Sequence, residues 1–283
     1  MESGIVFVDK TAGMTSRKVD NLLQKKFAIK KAGHLGTLDP FATGLLIVAL
    51  GKATKFLPFI EDGEKTYLAS LKLGQKTDTG DLDGEVIEEE AIPELDFASI
   101  QKTLASFLGK RKQMPPMASA IKIDGQPLYR LFREGKEAKR EPRDIEIFSI
   151  QAIYFQEGRL DFTCRVSAGT YIRTLGEEIA EALGTVGHLT ALRRAGIGKW
   201  DLRYAKHIED LTEEDVFDPT ILLRGYKHVE ISEGDVIKVK SGMAMDFKQS
   251  YGKRIAITYM GNALAIYEES EQSGIYRCLR GLF

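Results

Sequence analysis

The 283-residue chain has only two cysteines, four histidines, one tryptophan and eight prolines. Cys164 and Cys278 lie far apart, which excludes a disulfide-stapled scaffold. The start MESGIVFVDK has no basic region followed by a long apolar stretch, so no signal peptide is expected. Both thiols are then expected to be reduced and the protein cytoplasmic. His34, His188, His207 and His228 have no metal-type spacing with each other or with the cysteines, so no metal is expected. The longest apolar run, Leu45–Leu50, is too short to span a bilayer and reads as a strand buried on both faces. Gly51-Lys52-Ala53 resembles the end of a phosphate loop, but Gly44 is wrongly spaced and no Ser or Thr follows the lysine. Asp81, Asp83, Gly84 and Glu90 fall in Ca²⁺-loop register, but Thr79 takes the first ligand position and the flanking helices are missing. No cofactor is expected.

Charge is balanced in total, with 40 Lys and Arg against 41 Asp and Glu, yet it is segregated along the chain. Residues 77–98 carry nine acidic side chains and no basic one, whereas residues 110–143 carry ten basic against four acidic. Residues 1–56 carry nine basic against four acidic. A near-neutral protein arranged this way can present a basic face to a polyanion, although charge runs are also ordinary solvated faces.

Periodicity gives the outline. Ile5–Val8 is β-rich, and Thr15 or Ser16 can cap a helix to Phe27 with Val19, Leu22, Leu23 and Phe27 on one stripe. Tyr67–Leu73 alternates as a strand, Gly74–Gly84 is rich in turns, and Asp96 caps a second amphipathic helix. Residues 113–142 switch to a Pro- and Lys/Arg-rich segment that reads as an inserted arm. Ile145–Phe155 and Leu160–Val166 read as strands, and Tyr171–Leu183 as a helix. From about residue 226 short strands are expected at Val236–Val239, Arg254–Tyr259 and Ala263–Glu268, forming a small β-rich unit.

One stretch asks for a chemical reason: 33-GHLGTLDPFATGLL-46, where Asp39 sits in a Gly-rich turn between His34 and an apolar strand. On spacing alone, an Asp-Pro turn is sufficient explanation. The wider context is more specific. DKTAGMTS (9–16), GHLGTLDPFATGLL (33–46), KTYLASLKLGQKTDTGDLDG (65–84), GTYIRTLGEEIA (169–180) and LTALRR (189–194) occur in that order, and QMPPMASAIKIDGQPLYRLFREG (113–135) lies between the third and fourth. Together they resemble the bacterial tRNA pseudouridine-55 synthases of the TruB family. Thr11 stands where that family usually has Pro, and Ala118 where it usually has Tyr, so no arm tyrosine is expected at 118.

The resemblance implies an α/β (α+β) fold with a mixed, largely antiparallel sheet. It divides the chain into a catalytic domain over 1–225, with an RNA-gripping arm at 113–142, and a PUA-like domain over 226–283. The activity it implies is isomerisation of uridine 55 in the T arm of tRNA by base flipping, without cofactor or metal. Asp39 would be the nucleophile and Arg173 its ionic partner, since a carboxylate in a closed pocket needs a cation to stay charged. Tyr67, Tyr171 and Leu192 would line the base pocket, with the Tyr67 ring against the base. His34 would fill the space the flipped uridine leaves. Lys10 would support the pocket floor or a phosphate. Arg130, Arg133, Lys136 and Lys139 of the arm, together with Arg193 and Arg194, would contact phosphates. The expected partner is the tRNA T stem-loop, with no membrane, no obligate protein partner and a monomeric state. Two other readings stay open: a synthase acting on another RNA, and a tRNA-binding chaperone without catalysis.

Overall fold

The computed structural model describes residues 3–60, 63–119, 121–123, 125–136 and 138–283. The first half builds β1 (Ser3–Lys10), α1 (Ser16–Lys26), β2 (Ala32–Leu35), β3 (Thr43–Gly51), β4 (Lys65–Leu73) and the hairpin β5 (Gln75–Thr77) and β6 (Val86–Glu89). Then come α2 (Phe97–Ala105), β7 (Gly109–Gln113), the arm elements β8 (Lys122–Ile123), β9 (Gln126–Pro127) and α3 (Leu128–Arg133), and the long β10 (Arg143–Gln156). The remainder is β11 (Arg159–Val166), α4 (Ile172–Ala182), β12 (Gly187–Ile197), β13 (Trp200–Asp201), β14 (Lys227–Glu230), α5 (Glu233–Lys240), β15 (Met245–Asp246), β16 (Arg254–Tyr259), β17 (Asn262–Glu269) and β18 (Ile275–Gly281).

The main sheet runs β1-β3-β12-β4-β11-β10-β7, with β2 added to β3 and β13 to β12. Every pairing is antiparallel except β3 with β12, so the sheet is mixed and largely antiparallel, as expected. The parallel pair sets Arg193 beside Thr43 and Arg194 beside Gly44, immediately after the Asp39 turn.

Alternation along β1 and β3 sends side chains to two cores. Val6, Val8, Leu46 and Val48 join Val19 and Leu23 of α1, Ile100 and Leu104 of α2, and Leu175 and Ile179 of α4 on one face. Ile5, Phe7, Leu45 and Ile47 face the other way, against Phe56, Ile197 and Leu223, with Ala256 and Ile266 of the last β-rich region. Thr15 caps α1 by accepting from Lys18 N, and Asp96 caps α2 by accepting from Ser99 N, so both start where the sequence places them.

The last region forms its own five-stranded sheet, β14-β16-β17-β18-β15, around Val229, Val239, Ile257, Tyr267 and Tyr276. One expectation fails here. Val236–Val239 is part of helix α5, not a strand. Its β-branched residues suggested a strand, but Glu233 and Asp235 in the first turn and Lys238 and Lys240 in the last complement the helix dipole. Only Val239 is buried, so no second apolar face demanded a strand.

Gly44 shows how tightly the sheet is built around the Asp39 turn. Its φ is +100°, and a Cβ there would collide with the Arg194 carbonyl oxygen and lie 2.9 Å from the Arg194 nitrogen. Gly44→Ala therefore faces both a strained backbone and a clash with main chain that has no flexible end to yield. Its expected cost is about 3 kcal/mol of folding free energy in urea unfolding, and a loss below about 1 kcal/mol would contradict the packing.

Candidate active site

The Asp39 turn is pinned from three sides by groups bonding its backbone. Lys10, at the end of β1, is buried and its ammonium donates to Ala42 O at 2.6 Å, Thr11 O at 3.0 Å and Pro40 O at 3.1 Å. Ser16, in the first turn of α1, accepts from Leu38 N at 2.9 Å and donates to Leu38 O at 3.1 Å. Arg194 donates to Leu45 O at 2.8 Å, Gly36 O at 2.9 Å and Thr37 O at 3.4 Å. A turn whose carbonyls are satisfied this way has its one remaining ionisable group, Asp39, held in place from below.

Arg173 meets that carboxylate. Its side chain is buried in the first turn of α4, and Nε lies 2.9 Å from Asp39 Oδ2 while Nη2 donates to Oδ1 at 3.3 Å. Nη1 donates to Thr79 O at 2.7 Å and lies 3.3 Å from Asp81 Oδ2. Nη2 also donates to Ala118 O at 2.7 Å, so the root of the arm closes over the same guanidinium. Asp39 keeps 34% of its side chain open to solvent. Burial still pushes its carboxyl above the usual carboxylate value of 3.8, with Asp81 adding to the rise, while Arg173 and Lys10 pull it back down.

Tyr67 is 6% exposed on β4. Burial pushes its phenol up, against the pull of the Arg194 guanidinium, so the hydroxyl stays protonated. Leu192 is buried opposite Ala69, one pair along the same face. Tyr171 precedes α4, and its backbone is gripped at both ends by Gln113, which accepts from Tyr171 N at 2.8 Å and donates to Tyr171 O at 3.0 Å. The structure thus brings Asp39, Arg173, Tyr67, Tyr171, Leu192 and Lys10 to one end of the sheet. His34 stands at the entry to the turn on β2, with Nδ1 3.0 Å from Asp20 Oδ2 and Nε2 3.2 Å from Thr37 Oγ1.

Two arginines expected at phosphates do other work. Arg194 is fully buried and spends its guanidinium on backbone carbonyls, so it cannot reach RNA. Arg193 is half-buried and its fork is taken by Asp9 at 2.7 and 3.1 Å, which neutralises it. Lys10, likewise, spends its ammonium on three carbonyls, which leaves no donor for a phosphate. In the arm, Arg130, Arg133, Lys136 and Lys139 are all exposed, with Lys136 paired to Glu134 at 2.8 Å.

Sequence reasoning missed Asp81. It lies in the acidic run, where spacing marks it only as one position of an incomplete Ca²⁺ loop. The structure buries it beside Arg173, with Oδ1 accepting from Thr79 Oγ1 at 2.7 Å and Asp83 N at 3.1 Å. The flanking threonines and Gly80, unusual in a merely solvated acidic loop, were the available signal.

The fold has relatives of known structure. A chain in the structure of an H/ACA RNP bound to a substrate RNA containing 2′-deoxyuridine superposes with a TM-score of 0.73 at 21% identity, over 99% of this chain and 85% of that one. A chain of a Cbf5-Nop10-Gar1 complex gives 0.73 at 24% identity with the same coverage. At such identities these show the fold alone. Sequence places the chain more narrowly. The model of the TruB family pseudouridylate synthase (N terminal domain) matches residues 24–172, more than half the chain. A protein named tRNA pseudouridine synthase B from Syntrophotalea carbinolica is 38% identical over 93% of this chain and 91% of its own length. Its namesake from Psychrobacter cryohalolentis is 47% identical over 74% of this chain, and the match spans 60% of that longer protein. This chain belongs to the TruB family of pseudouridylate synthases.

Lys10 provides a pH test of the site. Burial and the Arg194 charge lower its pKa to about 8, against the opposing pull of Asp39. Below that pH the ammonium offers three donors to three carbonyls, whereas the neutral amine above it offers two, so one of the bonds that hold the turn is lost. The turn therefore loosens as pH rises, and kcat/KM is expected to fall above about pH 8. Lys10→Met should be less active throughout and lack this alkaline limb. A limb retained in Lys10→Met would assign it to another group.

Proposed function

We propose that this protein converts uridine 55 of the tRNA T arm to pseudouridine, with Asp39 as the nucleophile. The observation that carries the reading is the Asp39–Arg173 pair: a buried guanidinium holds a carboxylate that keeps 34% of its side chain open to solvent, and Tyr67, Tyr171 and Leu192 would line the pocket for the base beside it. The reaction breaks the bond from C1′ to N1, turns the base in place and joins C5 to C1′, with C5 giving up its proton and N1 taking one. It is an isomerisation, balanced without oxidant, reductant or water. An ionised carboxylate can act on the sugar or the base, and Arg173 and Lys10 supply the positive charge that keeps it ionised.

The tRNA substrate follows from the relatives' names and from the arm, whose exposed cations Arg130, Arg133, Lys136 and Lys139 suit phosphates. Tyr67 would face the flipped base and His34 would occupy the gap it leaves in the T loop. Residues 1–225 would form the catalytic domain and 226–283, with its five-stranded sheet, a PUA-like unit gripping RNA outside the site. Among the described residues no helix is long and apolar enough to cross a membrane. The protein would act as a cytoplasmic monomer.

Unmodified tRNA tritiated at C5 of uridine tests the reading, because C5 loses its hydrogen when it becomes the glycosidic carbon. Wild type should release tritium from one T-arm position, and Asp39→Asn should release none while binding tRNA within a few-fold. Wild type that binds tRNA yet releases nothing would favour a binding protein. Neutralising the four arm cations should weaken binding and flatten its salt dependence, by up to about 0.9 in log–log slope for each phosphate that is no longer neutralised. An unchanged slope would place the arm away from the RNA backbone.

A further inference from the structure

Helix α1 buries a carboxylate on its apolar face. Asp20 is 1% exposed, beside Val19 and Leu23, where the helix's stripe calls for an apolar side chain. Its Oδ2 lies 3.0 Å from His34 Nδ1 and 3.4 Å from Nη1 of the exposed Arg17. Its Oδ1 has no hydrogen-bond partner among the described residues. A buried carboxylate with one oxygen unsatisfied works against folding, and such groups are kept where they serve a site.

The neighbouring turn of α1 indicates which site. Ser16 and Asp20 are four residues apart and so lie on one face of the helix. Ser16 holds the Asp39 turn through both backbone groups of Leu38. Asp20 holds His34, five residues before Asp39. The far nitrogen of the ring, Nε2, closes onto Thr37 Oγ1 within the same turn. A carboxylate at Nδ1 keeps the proton on that nitrogen and turns Nε2 toward Thr37, which fixes both tautomer and ring plane.

We infer that Asp20 is a positioning residue for the reaction: its carboxylate locks the His34 ring in the orientation that fills the gap left by the extracted uridine. This rests on the proposed role of His34. A ring held in one plane can replace lost stacking as soon as the base leaves, whereas a ring free to rotate does so only part of the time. The flipped state is then less populated, although the contacts that first bind the RNA are untouched.

The experiment compares Asp20→Leu, Asp20→Asn, His34→Ala and the Asp20→Leu/His34→Ala double variant in single-turnover tritium release at saturating tRNA. Asp20→Leu removes the buried charge and should melt no lower than wild type, yet its rate should fall about tenfold with tRNA affinity unchanged. Asp20→Asn keeps an acceptor for Nδ1–H and should recover most of the rate. The double variant should be no slower than His34→Ala, because Asp20 acts only through His34. Without RNA, ¹⁵N shifts of His34 should show one tautomer in wild type and a mixture in Asp20→Leu. Additive losses in the double variant, a wild-type rate in Asp20→Leu, or an unaltered tautomer would each overturn the inference. A wild type that releases no tritium would instead sink the reading of the reaction, and the ¹⁵N spectra would still decide whether Asp20 orients the ring.

Discussion

The ion pair between Arg173 and Asp39 is the interaction on which the rest of the site depends. A buried guanidinium must find partners or destabilise the fold, and Arg173 donates to Asp39, Thr79 O and Ala118 O and pairs ionically with Asp39 and Asp81. In doing so it ties α4 to the Asp39 turn, to the loop after β5 and to the root of the arm. Four segments far apart in sequence thus share one cation. Removing that cation would leave two carboxylates facing each other with little to offset their repulsion. The arm's attachment through a backbone carbonyl means that the proposed RNA-gripping element and the proposed nucleophile are linked by a single side chain.

The sheet explains why the turn itself holds still. Gly44 lets β3 begin against the backbone of β12, in the main sheet's one parallel pairing among the described residues. That register puts Arg194 under the turn, where its guanidinium satisfies three carbonyls. Lys10 and Ser16 do the same from β1 and α1. Rigid strands and a helix therefore position a loop group, which is the arrangement a reaction with little tolerance for misplacement requires.

Much of this was legible in the sequence. Helix starts at Asp96 and near Thr15, the apolar β3 and the alternation of β4 and β11 follow from local rules that the tertiary structure obeys. Asp39 and Arg173, 134 residues apart, could be linked only through the resemblance carried by the ordered blocks. What was not legible depends on burial. Arg193 and Arg194 are adjacent cations with the same expected role, yet one is neutralised by Asp9 and the other is swallowed by the core. Asp81 looked like one member of an acidic run because its partner lies on another element. Val236–Val239 read as a strand from its β-branched residues, yet it lies in α5, where charge complementarity at the helix ends outweighs weak β-propensity.

The central claim is that Arg173 keeps Asp39 ionised in surroundings that disfavour its charge. A ¹³C NMR titration of the Asp39 carboxyl in free protein tests it most directly, with Arg173→Met as the comparison. The account predicts a wild-type pKa above the ordinary 3.8, and a clear further rise in Arg173→Met. An Asp39 that titrates at or below 3.8, or that ignores the loss of Arg173, would contradict it.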